Sequence, residues 1–295
     1  MHIPVLKKEV IEFLNPRSNE NFIDCTLGEG GHALAILEKT NPAGKILGID
    51  QDQEILENVK RRIQNTKYKD RLILICDNFV NLKEIAEREK FMPVSGILFD
   101  LGISGWHLEE SGRGFSFQKE EPLDMRGNKN SDLTAEKIVN EYSKEEIERI
   151  LREYGEEKFS RQISKNIIEF RKIKPIKITL ELLEILKKSV PVWYQHKKIH
   201  FATRTFQALR IAVNKELSNL DKALVQTLDV LEHQGKLVII SFHSLEDRIV
   251  KNFFKEKSKQ NLIKILTKKP IAPSEEEIKA NIRSRSAKLR AAIKI

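Results

Sequence analysis

The chain has 295 residues, 40% hydrophobic and 32% charged, the balance of a globular protein with enough apolar material for a real core. No run of about 18 apolar residues occurs, which argues against a membrane span. The opening Met1-His2-Ile3-Pro4-Val5 lacks the basic stretch and apolar core of a secretory signal, so the expected location is cytoplasmic. A net charge of +9 favours a polyanionic partner, although a composition rich in Lys, Ile, Asn and Glu accounts for a basic chain equally well.

Four short apolar runs mark the first hundred residues: Phe22–Cys25, Lys45–Asp50, Leu72–Cys76 and Gly96–Asp100. Helical patterns near 31–38, 52–64 and 80–90 separate them; Ile55, Val59 and Ile63 form one stripe at four-residue spacing. Strands alternating with helices predict βαβ units and a parallel sheet. Each run ends in or beside an acid: Asp24, Asp50, Asp77 or Asp100. Ligands of open α/β sheets bind outside the carboxyl ends of the strands, so four acids there point to one site edge. Cys25 and Cys76 read as buried strand-end thiols in a reducing compartment. Two cysteines cannot build a four-thiolate zinc site, and no paired-histidine metal spacing occurs, so no metal is expected.

After Asp100 the alternation stops. Gly, Ser and charged residues run from 102 to 131, and 134–190 reads as helices, broken by a loop at Lys172–Lys177 around Pro175. Ile147, Ile150, Leu151 and Tyr154 share one face; Ile163, Ile167 and Phe170 share another. A long helix is predicted from about Thr205 to Leu231, then a strand at Lys236–Ser241. Leu262–Leu266 and Lys288–Ile295 are expected to form a hairpin pair that closes the sheet. The predicted architecture is one α/β domain, 1–107 and 201–295, interrupted by a helical insertion at 108–200.

The loop Gly28-Glu29-Gly30-Gly31-His32 joins the first strand to a helix. Glycines let backbone N–H groups approach a ligand closely, and the helix N-terminus adds free donors. With Ala33 the loop also fits the dinucleotide pattern Gly-x-Gly-x-x-Ala, so a nicotinamide oxidoreductase is one reading. Asp50 suits a ribose in either ligand. Asp77-Asn78-Phe79 after the third strand can hold an adenine, and no hydride-transfer acid or base stands out. A sulfonium donor needs no proton, only placement beside a nucleophile. That favours S-adenosylmethionine over NAD.

Seven segments then carry a resemblance. They are Asp24–His32 (Asp-x-Thr-x-Gly-x-Gly-Gly-His), Gly96–Ser104, Arg113–Phe117, Pro122–Arg126, Tyr154–Glu157, Ala202–Ile211 and Ile240–Lys251. In that order, across nearly the whole chain, the sequence resembles the bacterial small-subunit ribosomal RNA cytosine-N4 methyltransferases, the RsmH/MraW family. The resemblance implies a seven-stranded Rossmann-like class I methyltransferase sheet with an inserted all-α domain that recognises RNA. It implies methylation of a decoding-centre cytidine in 16S ribosomal RNA within the small subunit, no membrane or metal, and compatibility with a homodimer. Cofactor contacts would fall on Gly30, Gly31, His32, Asp50, Phe79 and Asp100. A Gln is usual a few residues past the fourth-strand acid; here it is His107, in Ser-Gly-Trp-His-Leu, which can still donate or accept one hydrogen bond. Phe201 stands where the family places a proline after His200.

Two residues are candidates for chemistry. Asp100 would polarise the cytosine amine or anchor the cofactor; His243 would face the substrate as a base or hydrogen-bonder. Phe242 would stack on a flipped base, while Ser244 caps the next helix, with Glu246 and Asp247 in its first turn. Arg204 and Arg210, flanking Phe206, are candidate RNA contacts, as are Lys197, Lys198, Arg283, Arg285 and Arg290. Trp106 and Trp193 read as core residues or as indoles beside a site. An assembly factor that binds RNA without transferring a methyl group is the remaining reading.

Overall fold

The computed structural model describes residues 4–295, so Met1–Ile3 of the opening segment lie outside the described residues. The described residues form two compact units, one of residues 4–104 with 217–295 and one of residues 105–216.

The first unit begins with α1 (Lys7–Leu14), then β1 (Phe22–Asp24), α2 (Gly31–Lys39), β2 (Ile46–Asp50), α3 (Gln53–Ile63), β3 (Leu72–Cys76), α4 (Leu82–Arg88) and β4 (Val94–Asp100). The four apolar runs are these four strands. β1, β2, β3 and β4 pair in parallel with no slip in register; β1, for example, sets Ile23 opposite Leu47 and Ile97. Side chains alternate between the faces of a strand, and here both faces are covered. Ile97 and Phe99 join Ile23, Leu47 and Ile49 in one core layer, while Leu98 joins Phe22 and Ile46 in the other. That double burial is why the strands read as continuous apolar runs.

The second unit is helical: α5 (Gly105–Glu109), α6 (Ala135–Glu141), α7 (Lys144–Gly155), α8 (Ser160–Arg171), α9 (Thr179–Ser189), α10 (Val192–Gln195) and α11 (Thr203–Asn214). Ser143 starts α7 with a capping box: its hydroxyl accepts from the Glu146 N–H and the Glu146 carboxylate accepts from the Ser143 N–H. The predicted stripes form the core, with Ile147, Ile150, Leu151, Ile163 and Ile167 buried. α11 lies against α7 so closely that a Cβ on Gly155 would fall 2.6 Å from the Arg204 carbonyl. The sequence reading divides the chain at 108 and 200; the compact helical unit runs Gly105–Glu216 and includes α11.

The long helix predicted over Thr205–Leu231 is two helices, α11 and α12 (Glu216–Val230), because Lys215 adopts φ 52, a left-handed conformation that ends α11. The chain returns to the sheet as β5 (Leu231–Ser241), α13 (Ser244–Lys259), β6 (Ile263–Ile265), α14 (Glu275–Ala280) and β7 (Lys288–Lys294). β7 runs antiparallel to both β5 and β6; the two terminal runs pair as expected, but with α14 between them they are not a hairpin. The seven strands lie in the order β3-β2-β1-β4-β5-β7-β6. The chain winds outward from β1 through β2 to β3, then returns to place β4 on the other side of β1. That reversal is the topological switch point where open α/β sheets bind ligands. α1, which the sequence reading left out, packs Val10 and Leu14 into the same layer as Phe22. No helix of the described residues is long and apolar enough to cross a membrane.

Candidate active site

The carboxyl ends of β1, β2, β3 and β4 carry the four acids, and hydrogen bonds tie them together. At the end of β1 the Thr26 N–H donates to Asp24 Oδ1 (3.1 Å), while Thr26 Oγ1 accepts the Asp100 N–H (2.6 Å). Thr26 thus couples two strand ends, a role not assigned to it from the sequence. At the end of β2 the Gly28 and Asp52 N–H groups each donate 2.9 Å bonds to Asp50. Asp50 therefore fixes the glycine loop from below. At β3, Asp77 accepts from the Asn78 N–H (2.7 Å), and Asn78 Nδ2 donates to Gln51 Oε1 (3.2 Å), joining the β2 and β3 ends. Phe79 stands edge-on to the buried ring of Phe99, 5.6 Å between centroids, with part of its own ring left exposed.

Two glycines of the loop answer to geometry. Gly30 has φ 76, which side chains other than glycine rarely adopt, and serves as the N-cap of α2. At Gly31 a Cβ would fall 2.5 Å from Pro4 Cγ, so the chain just before α1 closes over the loop. Arg62 of α3 donates to the Glu29 carbonyl on the opposite side.

His32, in the first turn of α2, is 5% exposed, and its Nε2 lies 3.6 Å from Asp100 Oδ2. Neither ring nitrogen has a hydrogen-bond partner, nor does Asp100 Oδ1, and all three atoms are buried. Buried polar atoms are satisfied in native proteins almost without exception, so three orphans at one strand edge ask for a polar ligand. Beneath them Asp24 is 1% exposed. Burial pushes its carboxyl up to about 7, aided by Asp100 and Asp50 and opposed by His32 and the Thr26 N–H.

The β5 end differs from expectation. His243, not Ser244, is the N-cap of α13, in a capping box with Glu246. The Glu246 carboxylate, 3% exposed, accepts from the Phe242 and His243 N–H groups (2.8 and 3.3 Å) and lies 3.1 Å from His243 Nε2. His243 Nδ1 accepts from the Glu246 N–H at 3.4 Å. Nδ1 is thus taken up by the cap, while buried Nε2, 3.1 Å from Glu246 Oε1, has no hydrogen-bond partner. The signal was a glutamate three residues after the cap position, overlooked because the cap is a histidine. Phe242 is half-buried, its ring 3.3 Å from where a Cβ on Gly102 would stand.

Other expectations are redistributed. His107 lies in the helical unit, 8% exposed, with its ring against Phe115 (4.9 Å) and Trp106 (5.4 Å). Phe206 is 4% exposed and edge-on to Phe117, so it lacks the free face needed to stack on RNA. Arg210 is held by Glu216 in a two-pronged pair, both distances 2.9 Å, and Arg204 donates to the Glu156 carbonyl. Arg290 is buried against Asp247 (2.7 Å) as a structural pair; Lys197, Lys198 and Arg285 are exposed. Trp193 is exposed rather than core. Cys25 is buried, as expected, but Cys76 is exposed at the open end of β3.

The whole chain, residues 1–295, matches the family described as the MraW methylase family. A ribosomal RNA small subunit methyltransferase H of Clostridium botulinum (strain Kyoto / Type A2) is 47% identical over 309 residues, covering 100% of this chain and 99% of that protein. The protein of the same name from Sulfurihydrogenibium azorense is 47% identical over 291 residues, covering 99% and 98%. An rRNA methylase from Streptococcus thermophilus superposes with a TM-score of 0.46 at 13% identity, covering 100% of this chain and 99% of its own.

Proposed function

From its membership of the MraW methylase family, to which this chain belongs over its full length, we propose that it methylates 16S ribosomal RNA with S-adenosylmethionine, at the exocyclic N4 amine of a decoding-centre cytidine. The relatives that match over their full length are named small subunit ribosomal RNA methyltransferases, which supports the substrate class. The observation that carries the reading is the trio of buried, unpartnered polar atoms on His32 and Asp100 beside the glycine loop. They fit a bound cofactor and a substrate amine that together complete their hydrogen bonds.

S-adenosylmethionine, when bound, supplies an electrophilic methyl group on a sulfonium. The chain's residues hold and orient. Gly31 and His32 offer the N-terminal donors of α2, while the Gly30 N–H is spent on the Leu27 carbonyl (2.8 Å) and its left-handed backbone shapes the turn. Asp50, which accepts a backbone N–H on each carboxylate oxygen, stands at the end of β2 where it would hold a ribose hydroxyl. The exposed part of Phe79 offers an apolar face to an adenine. Asp100 acts on the nucleophile. A cytosine amine is weakly nucleophilic because its lone pair is delocalised into the ring. Accepting a hydrogen bond from its N–H lets the nitrogen pyramidalise, and the same carboxylate can take the proton released as the N–C bond forms. Alignment supplies much of the remainder. Phe242 leans over Gly102 beside Asp100, where it would cover an extruded base.

Asp100→Asn keeps the shape but weakens the acceptor and removes the base. Methyl transfer to small ribosomal subunits is expected to fall by about 10²–10⁴, with cofactor affinity, measured by calorimetry, reported separately. Transfer at the wild-type rate with normal cofactor binding would refute the role of Asp100.

A further inference from the structure

Charge is not spread evenly along the helical unit. Residues 158–215 carry fourteen Lys and Arg against three Asp and Glu, while residues 105–157 carry eight against fourteen. The net +11 of the first segment exceeds the +9 of the entire chain. The basic character of this protein is therefore a local property of α8 to α11 and their loops, not a compositional background.

Part of that charge converges. Lys144, Lys158, Phe159, Arg161, Gln162 and Lys165 line a cavity of about 430 Å³ where the start of α7 meets α8. Lys158, Arg161 and Lys165 are exposed and have no ion-pair partner among the described residues; Lys144 has Glu145 at 3.5 Å. Like charges gathered in one concavity set up a local positive potential that attracts an anion.

An aromatic platform adjoins the cations. The ring of Phe159 stands edge-on to Tyr194 (4.9 Å) and Trp193 (6.1 Å), and the Tyr194 hydroxyl donates to the buried Glu157 carboxylate (3.0 Å). Trp193 is nevertheless 57% exposed, with Lys197 Nζ 4.8 Å from its ring. A tryptophan held in place yet presented to solvent, next to unpaired cations, is the combination that binds unpaired nucleotides: charge for the phosphates and a ring for a base.

We propose that this groove binds single-stranded RNA, with Lys158, Arg161 and Lys165 on successive phosphates and Trp193 stacked on an unpaired base. The assignment rests on the reading of the protein as a ribosomal RNA methyltransferase and gives that activity an RNA-holding surface on the helical unit.

The test is a salt titration of binding to a synthetic single-stranded fragment of the 16S decoding region, with methyl transfer to small subunits measured in parallel. In the triple variant Lys158→Gln, Arg161→Gln, Lys165→Gln, affinity should fall at least about tenfold. The slope of log affinity against log salt should become shallower by about 2, since single strands lose about 0.7 per phosphate contact. Trp193→Ala should lose about tenfold with its slope unchanged. Both should raise the KM for subunits while cofactor affinity holds. A triple variant with wild-type affinity and slope overturns the groove assignment, as does a loss seen only against ribosomal proteins. A wild-type protein that binds the fragment but transfers no methyl group overturns the methylation reading instead, and the titration still decides the groove.

Discussion

Asp24 shows what burial does to a single residue. Its carboxyl sits under the glycine loop among His32, Asp50 and Asp100, with an ordinary value of 3.8 raised to about 7. In the unfolded chain it ionises above about pH 4; in the folded chain it keeps its proton until near 7. The stability that comes from holding the neutral carboxyl is complete below about pH 4 and lost as pH rises to 7. Three pKa units correspond to a loss on the order of 4 kcal/mol. Asn cannot ionise, so Asp24→Asn should gain stability over wild type progressively between pH 4 and 7.5 and hold the difference above that. Urea denaturation across this range checks it; a pH-independent difference would remove Asp24 as the titrating group. The presence of an acid at each strand end was legible in the sequence, because buried parallel strands read as apolar runs and the polar residue closing each run must lie at the sheet edge. The protonation of Asp24 was not, because it depends on three groups that the fold brings from α2, β2 and β4. The same holds for Thr26: its place two residues after Asp24 is plain, but its bond to the Asp100 N–H exists only once β1 and β4 pair.

At the scale of elements, the β5–α13 turn decides how His243 should be understood. Its ring Nδ1 accepts the Glu246 N–H while the Glu246 carboxylate accepts the His243 N–H, so truncation should weaken the start of α13. His243→Ala is expected to cost about 1 kcal/mol, and His243→Asn, a good N-cap, should restore most of it. Thermal unfolding reads the stability, and single-turnover transfer reads the chemistry. If Asn restores stability while both variants lose the same turnover, His243 acts on the substrate and the cap is incidental. Helix existence was largely legible from apolar spacing, helix limits less so. The break between α11 and α12 falls at Lys215, which carries no glycine or proline to announce it; φ 52 there is imposed by context. β5 likewise begins at Leu231, five residues before its apolar run, because Leu231 pairs with Val94 across an irregular register.

At the scale of the whole molecule, the alternation of strands and helices was enough to predict the parallel sheet, and the two terminal runs predicted its antiparallel close. The segregation of charge was hidden in the totals: +9 over 295 residues looks diffuse until residues 158–215, at +11, are counted by themselves. The sequence left Trp193 open between core and an indole beside a site, and only the fold shows its ring outside. The acids, the glycine loop and the orphaned atoms of His32 and Asp100 all lie in one unit and describe one reaction. The most direct measurement is methyl transfer from labelled S-adenosylmethionine to small ribosomal subunits, followed by mass mapping of the RNA. The expected result is a single added methyl on the exocyclic amine of a 16S cytidine. Methylation of a ring carbon or a ribose, or no incorporation by the wild-type protein, would contradict it.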